Sequence, residues 1–267
     1  MELFQHSFMI RALLVGAITA VLCPMLGLFI VVRRQSLIGD GIGHIAFAGV
    51  MIGIYFRAAP LLAAVVAAVI GAIVIELVRR KLPGYADMAL AIMFYIGMAL
   101  AVIFLGLAKP GGGGVFAYLF GSILTVSYSD ILIVGLCSAA VAAFVLRNYT
   151  RLMITVFDED VALTMGVNTN RLNFGFGIAT AITVVVGMTV LGVLLVGALM
   201  ILPVAAALLL RFGFIKTMVS AIVFAELSVF SGLLLSYYCD FASGATIVVA
   251  ASSIFFALAL YSKVVKK

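Results

Sequence analysis

The sequence predicts an all-α protein, a polytopic bundle of about eight or nine transmembrane helices that forms one domain over residues 1–267. Of the 267 residues, 66% are hydrophobic and 10% are charged, and the mean hydropathy is +1.37. A soluble domain is about 25% charged and would have to expose this excess of apolar side chains to water. Apolar runs of about 18 or more residues recur along the chain, and they lack the alternating pattern of a membrane β-barrel.

Charged residues and helix breakers divide the chain into its predicted membrane segments. These segments lie at 8–32, 36–56, 60–78, 88–108, 130–146, 217–238 and 245–261. The apolar block at 174–210 is too long for one span of about 20 residues, so we predict two spans with a tight turn near 187–192. The short piece at 115–126 is predicted to be a partial or re-entrant helix.

The net charge of +6 arises from basic residues at the ends of these segments. They lie at 33–34, 79–81, 147–171, 211–216 and 263–267, and alternate crossing of the membrane places all of these groups on one face. The positive-inside rule makes that face cytoplasmic, with the C-terminus inside and glycines 111–114 outside. Because the charges lie at helix ends rather than in a stripe, nucleic-acid binding is excluded.

Ionisable residues within a span are costly, so each is a candidate for function. Asp40 and His44 are four residues apart, and a helix places them on one face, where a carboxylate and an imidazole can hold one divalent cation. Glu226 is a lone carboxylate in an apolar span and requires a cation, a proton or a helix partner. Glu76, beside Arg79 at a membrane edge, is expected to form a local ion pair.

Residue type alone leaves other roles open for these side chains. Asp40 would also serve as a helix cap near the interface, and His44 as a hydrogen-bonding partner of a neighbouring span. A protonated Glu226 would bond across helices.

The longest polar stretch, 147–173, is predicted to contain a short cytoplasmic helix of about two turns, near 157–167. Asp158 is a good N-cap, and Gly166 is a natural residue at the C-terminal end. The stretch is either an ordinary connector or a helix that a transporter presses against a cytoplasmic motor. The chain has no G-x-x-x-x-G-K-[ST] loop and no catalytic signature, so we expect a protein that is not an enzyme.

Several stretches together resemble the membrane permeases of bacterial ABC importers for zinc and manganese. They are LIGDGIGHIAFAGV at 37–50, LFGSIL at 119–124, FD at 157–158 with Ala162 and Gly166, GVLLVGALMILPVAAA at 192–207, LSYY at 235–238 and GATI at 244–247. Gly43 replaces a usual serine and Ala48 a common proline, and the Asp40 and His44 pair is intact.

The resemblance implies a homodimeric permease in the bacterial inner membrane, with two cytoplasmic ATPase subunits that hydrolyse ATP and an extracytoplasmic metal-binding protein. It assigns ATPase coupling to Phe157, Asp158, Glu159, Ala162 and Gly166. It assigns the metal path to Asp40, His44 and Glu226, with no permanently bound cofactor.

Two carboxylates and one imidazole without thiolate suit a transient stop for a transported metal ion, and zinc is the favoured cargo. A manganese or iron permease of the same type is the first alternative, since oxygen-rich ligands also suit manganese. The others are a proton-coupled secondary metal transporter and a membrane protein without transport.

Overall fold

Long helices form wherever the chain offers an uninterrupted apolar segment. The structure is a computed structural model that describes residues 7–108, 112–121 and 128–264. Its α-helices are α1 (Ser7–Val32), α2 (Ile38–Tyr55), α3 (Pro60–Lys81), α4 (Ala86–Ala108), α5 (Gly112–Phe120), α6 (Tyr128–Arg147), α7 (Tyr149–Phe157), α8 (Glu159–Thr164), α9 (Thr169–Leu191), α10 (Val193–Leu208), α11 (Phe214–Cys239) and α12 (Ser243–Val264).

The described residues confirm the all-helical membrane fold and give seven helices long and apolar enough to cross a bilayer, α1, α2, α3, α4, α9, α11 and α12. The α6 and α7 helices pass the same test together but meet at an angle of 67°, and counting this pair gives up to eight. The upper figure of nine predicted from the sequence is reduced because α10 has 16 residues, fewer than the about 20 that cross the hydrocarbon. In the 115–126 segment, α5 ends at Phe120, and 122–126 lie outside the described residues.

The predicted turn near 187–192 is a break between α9 and α10 at Gly192. Its φ of 77° lies in the left-handed region that favours glycine. A Cβ on Gly192 would also collide with the backbone at Leu119, Phe120 and Gly121, where α5 ends. Both the backbone conformation and the close approach therefore require glycine here.

The helices differ in how much of their surface the protein itself covers. Most residues of α1, α2 and α9 are buried, whereas most of those in α3, α4, α11 and α12 are not. On α3 the exposed Leu62, Val66 and Ile70 follow one another at four-residue spacing, which is the pattern of a lipid-facing stripe. The bundle thus has central helices surrounded by helices whose outer faces are apolar.

Candidate metal site

The helix α2 carries both Asp40 and His44, and it lies inside the bundle. Asp40 is in the first turn and His44 is one turn further, so both side chains leave the helix on the same side. The helix packs against α3, α4, α9 and α10. The pairing expected from their spacing is therefore present on a buried helix.

Glycines in two neighbouring helices allow the backbones of those helices to approach this pair closely. A Cβ on Gly97 of α4 would lie 2.6 Å from the carbonyl carbon of His44 and 2.6 Å from the amide nitrogen of Ile45. A Cβ on Gly197 of α10 would overlap the carboxylate of Asp40. The α2 helix is thus held between α4 and α10 at the positions of both polar side chains.

A cavity of about 190 Å³ opens beside the pair, between α2 and α4. It is lined by Leu37, Asp40, Leu90, Ala91, Phe94 and Tyr95. The Phe94 ring meets the His44 ring edge-on, with 4.2 Å between the ring centroids. The cavity therefore has Asp40 in its wall and an aromatic ring that separates it from the buried His44.

The side chains of Asp40 and His44 have no hydrogen bond or ion pair with any residue in the described part of the chain. An ionised carboxylate in apolar surroundings is costly unless a cation, a proton or hydrogen-bond donors compensate its charge. Among the described residues no side chain supplies such a group to Asp40. The arrangement therefore suits a side chain that exchanges its partner.

Glu226 lies apart from the pair. It is on α11, which packs against α1, α10 and α12, and it is half-buried beside the outward-facing Val223, Leu227 and Phe230. Within residues 7–108, 112–121 and 128–264, no group of three or more His, Cys, Asp or Glu side chains could hold a metal ion. The structure thus places Asp40 with His44 but does not add Glu226 to them.

The short helix expected near 157–167 is present as α8, with defined ends. The Asp158 carboxylate accepts the backbone N–H groups of the residues two and three positions on, both at 3.0 Å. At the other end Gly166 has a φ of 77°, and Val167 donates its N–H to the Ala162 carbonyl at 3.0 Å. The N-cap and the glycine terminus predicted from the sequence are both confirmed.

The outer surface of α8 is more apolar than sequence reasoning suggested. Exposed fractions of the large side chains are 65% for Phe157 at the end of α7, 52% for Leu163 in α8 and 64% for Met165 just after α8, whereas Ala162 in α8 is fully buried. Large apolar side chains exposed on a polar segment are the usual sign of a surface that another protein covers. Leu163 and Met165 were missed, although their residue type in a polar stretch was a signal.

Glu159 points toward the bundle rather than away from it. Arg79 at the end of α3 donates to Glu159 at 3.2 Å and makes two hydrogen bonds with Glu76, both at 2.9 Å. Asn173 of α9 donates to the other oxygen of Glu159 at 3.0 Å. Burial by itself would raise the pKa of Glu159, but the hydrogen bond and positive charge of Arg79 outweigh it, and the net pKa is lowered. The ion pair expected between Glu76 and Arg79 is confirmed.

A multi-span helical bundle with a short capped helix near the basic ends of its helices is the architecture of a polytopic membrane protein. The chain matches the model of the ABC 3 transport family over residues 5–262, and it belongs to that family. The resemblance inferred from the sequence is thereby confirmed. The protein is a translocation subunit of the inner membrane and is not itself catalytic.

Related proteins agree with this assignment over nearly the full length. The chain is 31% identical to the high-affinity zinc uptake system membrane protein ZnuB of Haemophilus influenzae, over 97% of this chain and 99% of that protein. It is 29% identical to the manganese transport system membrane protein MntC of Halalkalibacterium halodurans, over 97% and 89%. Among solved structures, PsaBC from Streptococcus pneumoniae in complex with Fab has a TM-score of 0.85 and 28% identity, covering 96% of this chain and 92% of that one.

Proposed function

We propose that this chain carries a divalent metal ion, with zinc favoured, through the inner membrane as the permease of an ATP-driven importer. The observation that supports this most directly is the unpartnered Asp40 carboxylate, one turn from His44 and at the wall of a cavity. A carboxylate oxygen and an imidazole nitrogen are ligands that zinc and manganese both accept. Among the relatives, the name of ZnuB supports zinc and the name of MntC supports manganese.

The pair is incomplete as a storage site, which suits transport. Zinc in proteins usually has four ligands, and Asp40 with His44 supply two. Water keeps the remaining positions, so the ion is held weakly enough to leave again. We propose Glu226 as a separate contact on the ion path, because it lies on α11 and outside this pair.

The partners follow from the two ends of the bundle. We propose that α8 is the coupling helix that a cytoplasmic ATPase subunit binds, through the apolar surface that includes Phe157, Leu163 and Met165. An extracytoplasmic metal-binding protein delivers the ion at the opposite end, and two copies of the chain form the permease. In this arrangement the basic ends of the helices and the C-terminus are cytoplasmic.

The function is tested by reconstitution into vesicles, with the chain alone or together with its ATPase subunit and binding protein. We expect zinc uptake that requires ATP and falls about tenfold or more when the ATPase subunit is left out. Uptake by the chain alone, driven by a pH gradient, would instead establish a proton-coupled secondary transporter. Manganese uptake in place of zinc would keep the mechanism and change the ion.

The docking role of α8 predicts the effect of a charge on its outer surface. Met165→Glu is expected to weaken binding of the ATPase subunit about tenfold or more, because it places a carboxylate in an apolar contact. Binding is measured by co-purification from membranes. Leu82→Glu is the matched control, since Leu82 is 52% exposed near the same end of the bundle but outside α8. Equal binding by both variants would remove α8 from the docking surface.

A further inference from the structure

Glu76, Arg79, Glu159 and Asn173 form one connected group of side chains, called here the basic-end network. It joins α3, α8 and α9 through four hydrogen bonds of 2.9 to 3.2 Å. The link between Arg79 and Glu159 spans 80 positions of the chain, so it ties together elements that are distant in sequence. The α8 helix is therefore attached to two membrane helices by one carboxylate.

Arg33, just after α1, completes the charge balance around this network. Its guanidinium lies over the Phe176 ring, 5.1 Å from the centroid, and its Nη2 atom is buried without a hydrogen-bond partner among the described residues. Burial, with the neighbouring charge of Arg79, lowers the pKa of Arg33 to about 10. Two arginines and two glutamates thus oppose each other near the ends of α1 and α3.

The network is continuous with the helix that carries the candidate metal site. Arg79 is eight residues beyond Gly71 on α3, about 12 Å along the helix axis at 1.5 Å per residue. A Cβ on Gly71 would lie 2.7 Å from the Ile45 side chain, so α3 contacts α2 next to His44. The same two helices pack at Gly49, where a Cβ would lie 2.6 Å from the Ala63 carbonyl oxygen. The α2 and α3 helices are therefore in close contact at Ile45 and Gly49, within five residues of His44.

The α9 helix provides a second connection between α8 and α2. Asn173 lies in the second turn of α9, and Val184 further along the same helix is 3.7 Å from the position of a Cβ on Gly43. Gly43 precedes His44 directly. Both attachments of Glu159 thus lead, along rigid helices, to the segment of α2 that bears the candidate metal ligands.

We propose that Glu159 is a positioning residue, which transmits movement of α8 to α3 and α9 and so couples ATP hydrolysis to the metal site. The inference rests on the proposed function of α8 and deepens it, because it separates docking from transmission. Exposed apolar side chains on and beside α8 bind the ATPase subunit, and the inward-pointing carboxylate of Glu159 transmits the movement of α8 to α3 and α9. Sequence reasoning had grouped Glu159 with the docking residues.

Loss of the Glu159 charge should not unfold α8 or expose Arg79. The helix keeps its cap at Asp158 and its glycine terminus at Gly166. Arg79 keeps both hydrogen bonds to Glu76, so its buried charge remains paired. The change is confined to the connection between α8 and the membrane helices.

The test uses the complete transporter in vesicles and measures ions transported per ATP hydrolysed, together with retention of the ATPase subunit. For Glu159→Gln we expect retention within about twofold of wild type and a fall of about tenfold in ions per ATP, a size typical of coupling between sites. Arg80→Gln is the matched control for Arg79→Gln, because Arg80 lies over the Phe174 ring at 5.8 Å and outside the network. Both Glu159→Gln and Arg79→Gln disrupt the ion pair between these two residues, so their combined effect on ions per ATP should be smaller than the sum of the single effects.

Several results would overturn the proposal. An unchanged number of ions per ATP in Glu159→Gln would show that the network transmits nothing. Loss of ATPase retention equal to that of Met165→Glu would place Glu159 on the docking surface instead. If Glu159→Gln does not assemble, Asn173→Ala removes one of the two attachments and must lower the ratio; an unchanged ratio there is equally decisive. Failure of Met165→Glu to weaken retention would overturn docking at α8, which is a different result from any of these.

Discussion

Replacing Asp40 with asparagine is expected to reduce metal uptake by about 100-fold or more, because even outer-shell partners of metal ligands typically contribute 10- to 100-fold. The amide has nearly the same shape but no charge, so it cannot compensate a divalent cation. No side-chain hydrogen bond within the described chain is lost, and a half-buried carboxylate without a partner there is removed. We therefore expect thermal stability of the purified protein equal to or above that of wild type.

Uptake is measured as the metal content of cells grown in zinc-limited and then in manganese-limited medium, with permease quantity in the membrane measured in parallel. His44→Gln should lower uptake in the same direction. Glu226→Gln is the comparison, and its effect should be smaller because Glu226 lies on α11, away from the pair. Wild-type uptake by Asp40→Asn would return this residue to a structural role, and loss of the protein from the membrane would point to folding instead.

Replacing Gly97 with alanine is expected to destabilise the folded bundle by more than the 1–3 kcal/mol or so typical of overpacking. The new methyl group would lie 2.6 Å from the backbone of His44 and of Ile45. Backbone atoms of a packed helix cannot rotate away as a side chain would, so α4 has to separate from α2. The thermal midpoint of the detergent-solubilised protein measures this loss.

The same helix offers a control for this change. Gly106 of α4 has open space within 4 Å of a Cβ position, so Gly106→Ala should be neutral or slightly stabilising through helix propensity. A fall in thermal midpoint for both variants would mean that glycine matters to α4 itself. A fall for neither would mean that α4 and α2 are less closely packed than the structure shows.

Features that depend on local sequence could be predicted. Apolar length gave the membrane helices, and the break at Gly192 followed from a block too long for one span. The Asp158 cap and the Gly166 terminus were recognisable because caps depend on a few neighbouring residues. The assignment of α10 as a full span was too generous, since its residues continued an apolar block but its helix has 16 residues.

Features that depend on contacts between distant segments were not accessible. Nothing in the sequence around Glu159 shows that its carboxylate meets Arg79, 80 positions away, rather than a partner protein. The spacing of Asp40 and His44 was sufficient to place them on one face, but the cavity walls contributed by Leu90 and Phe94 come from another helix. Gly97 could have been noticed, because small residues in membrane helices often mark close approach.

The α6 and α7 helices meet at an angle of 67°, so the chain changes direction before it reaches α8. From α7 the chain passes through α8 and returns to the bundle in α9. The α7 end rests on α1, where the Tyr149 and Phe29 rings meet edge-on at 6.2 Å. The hydrogen bond of 3.2 Å from Arg79 to Glu159 attaches α8 to α3. The segment between α6 and α9 is thus fixed to α1 near its start and to α3 near its end, rather than forming a free surface loop.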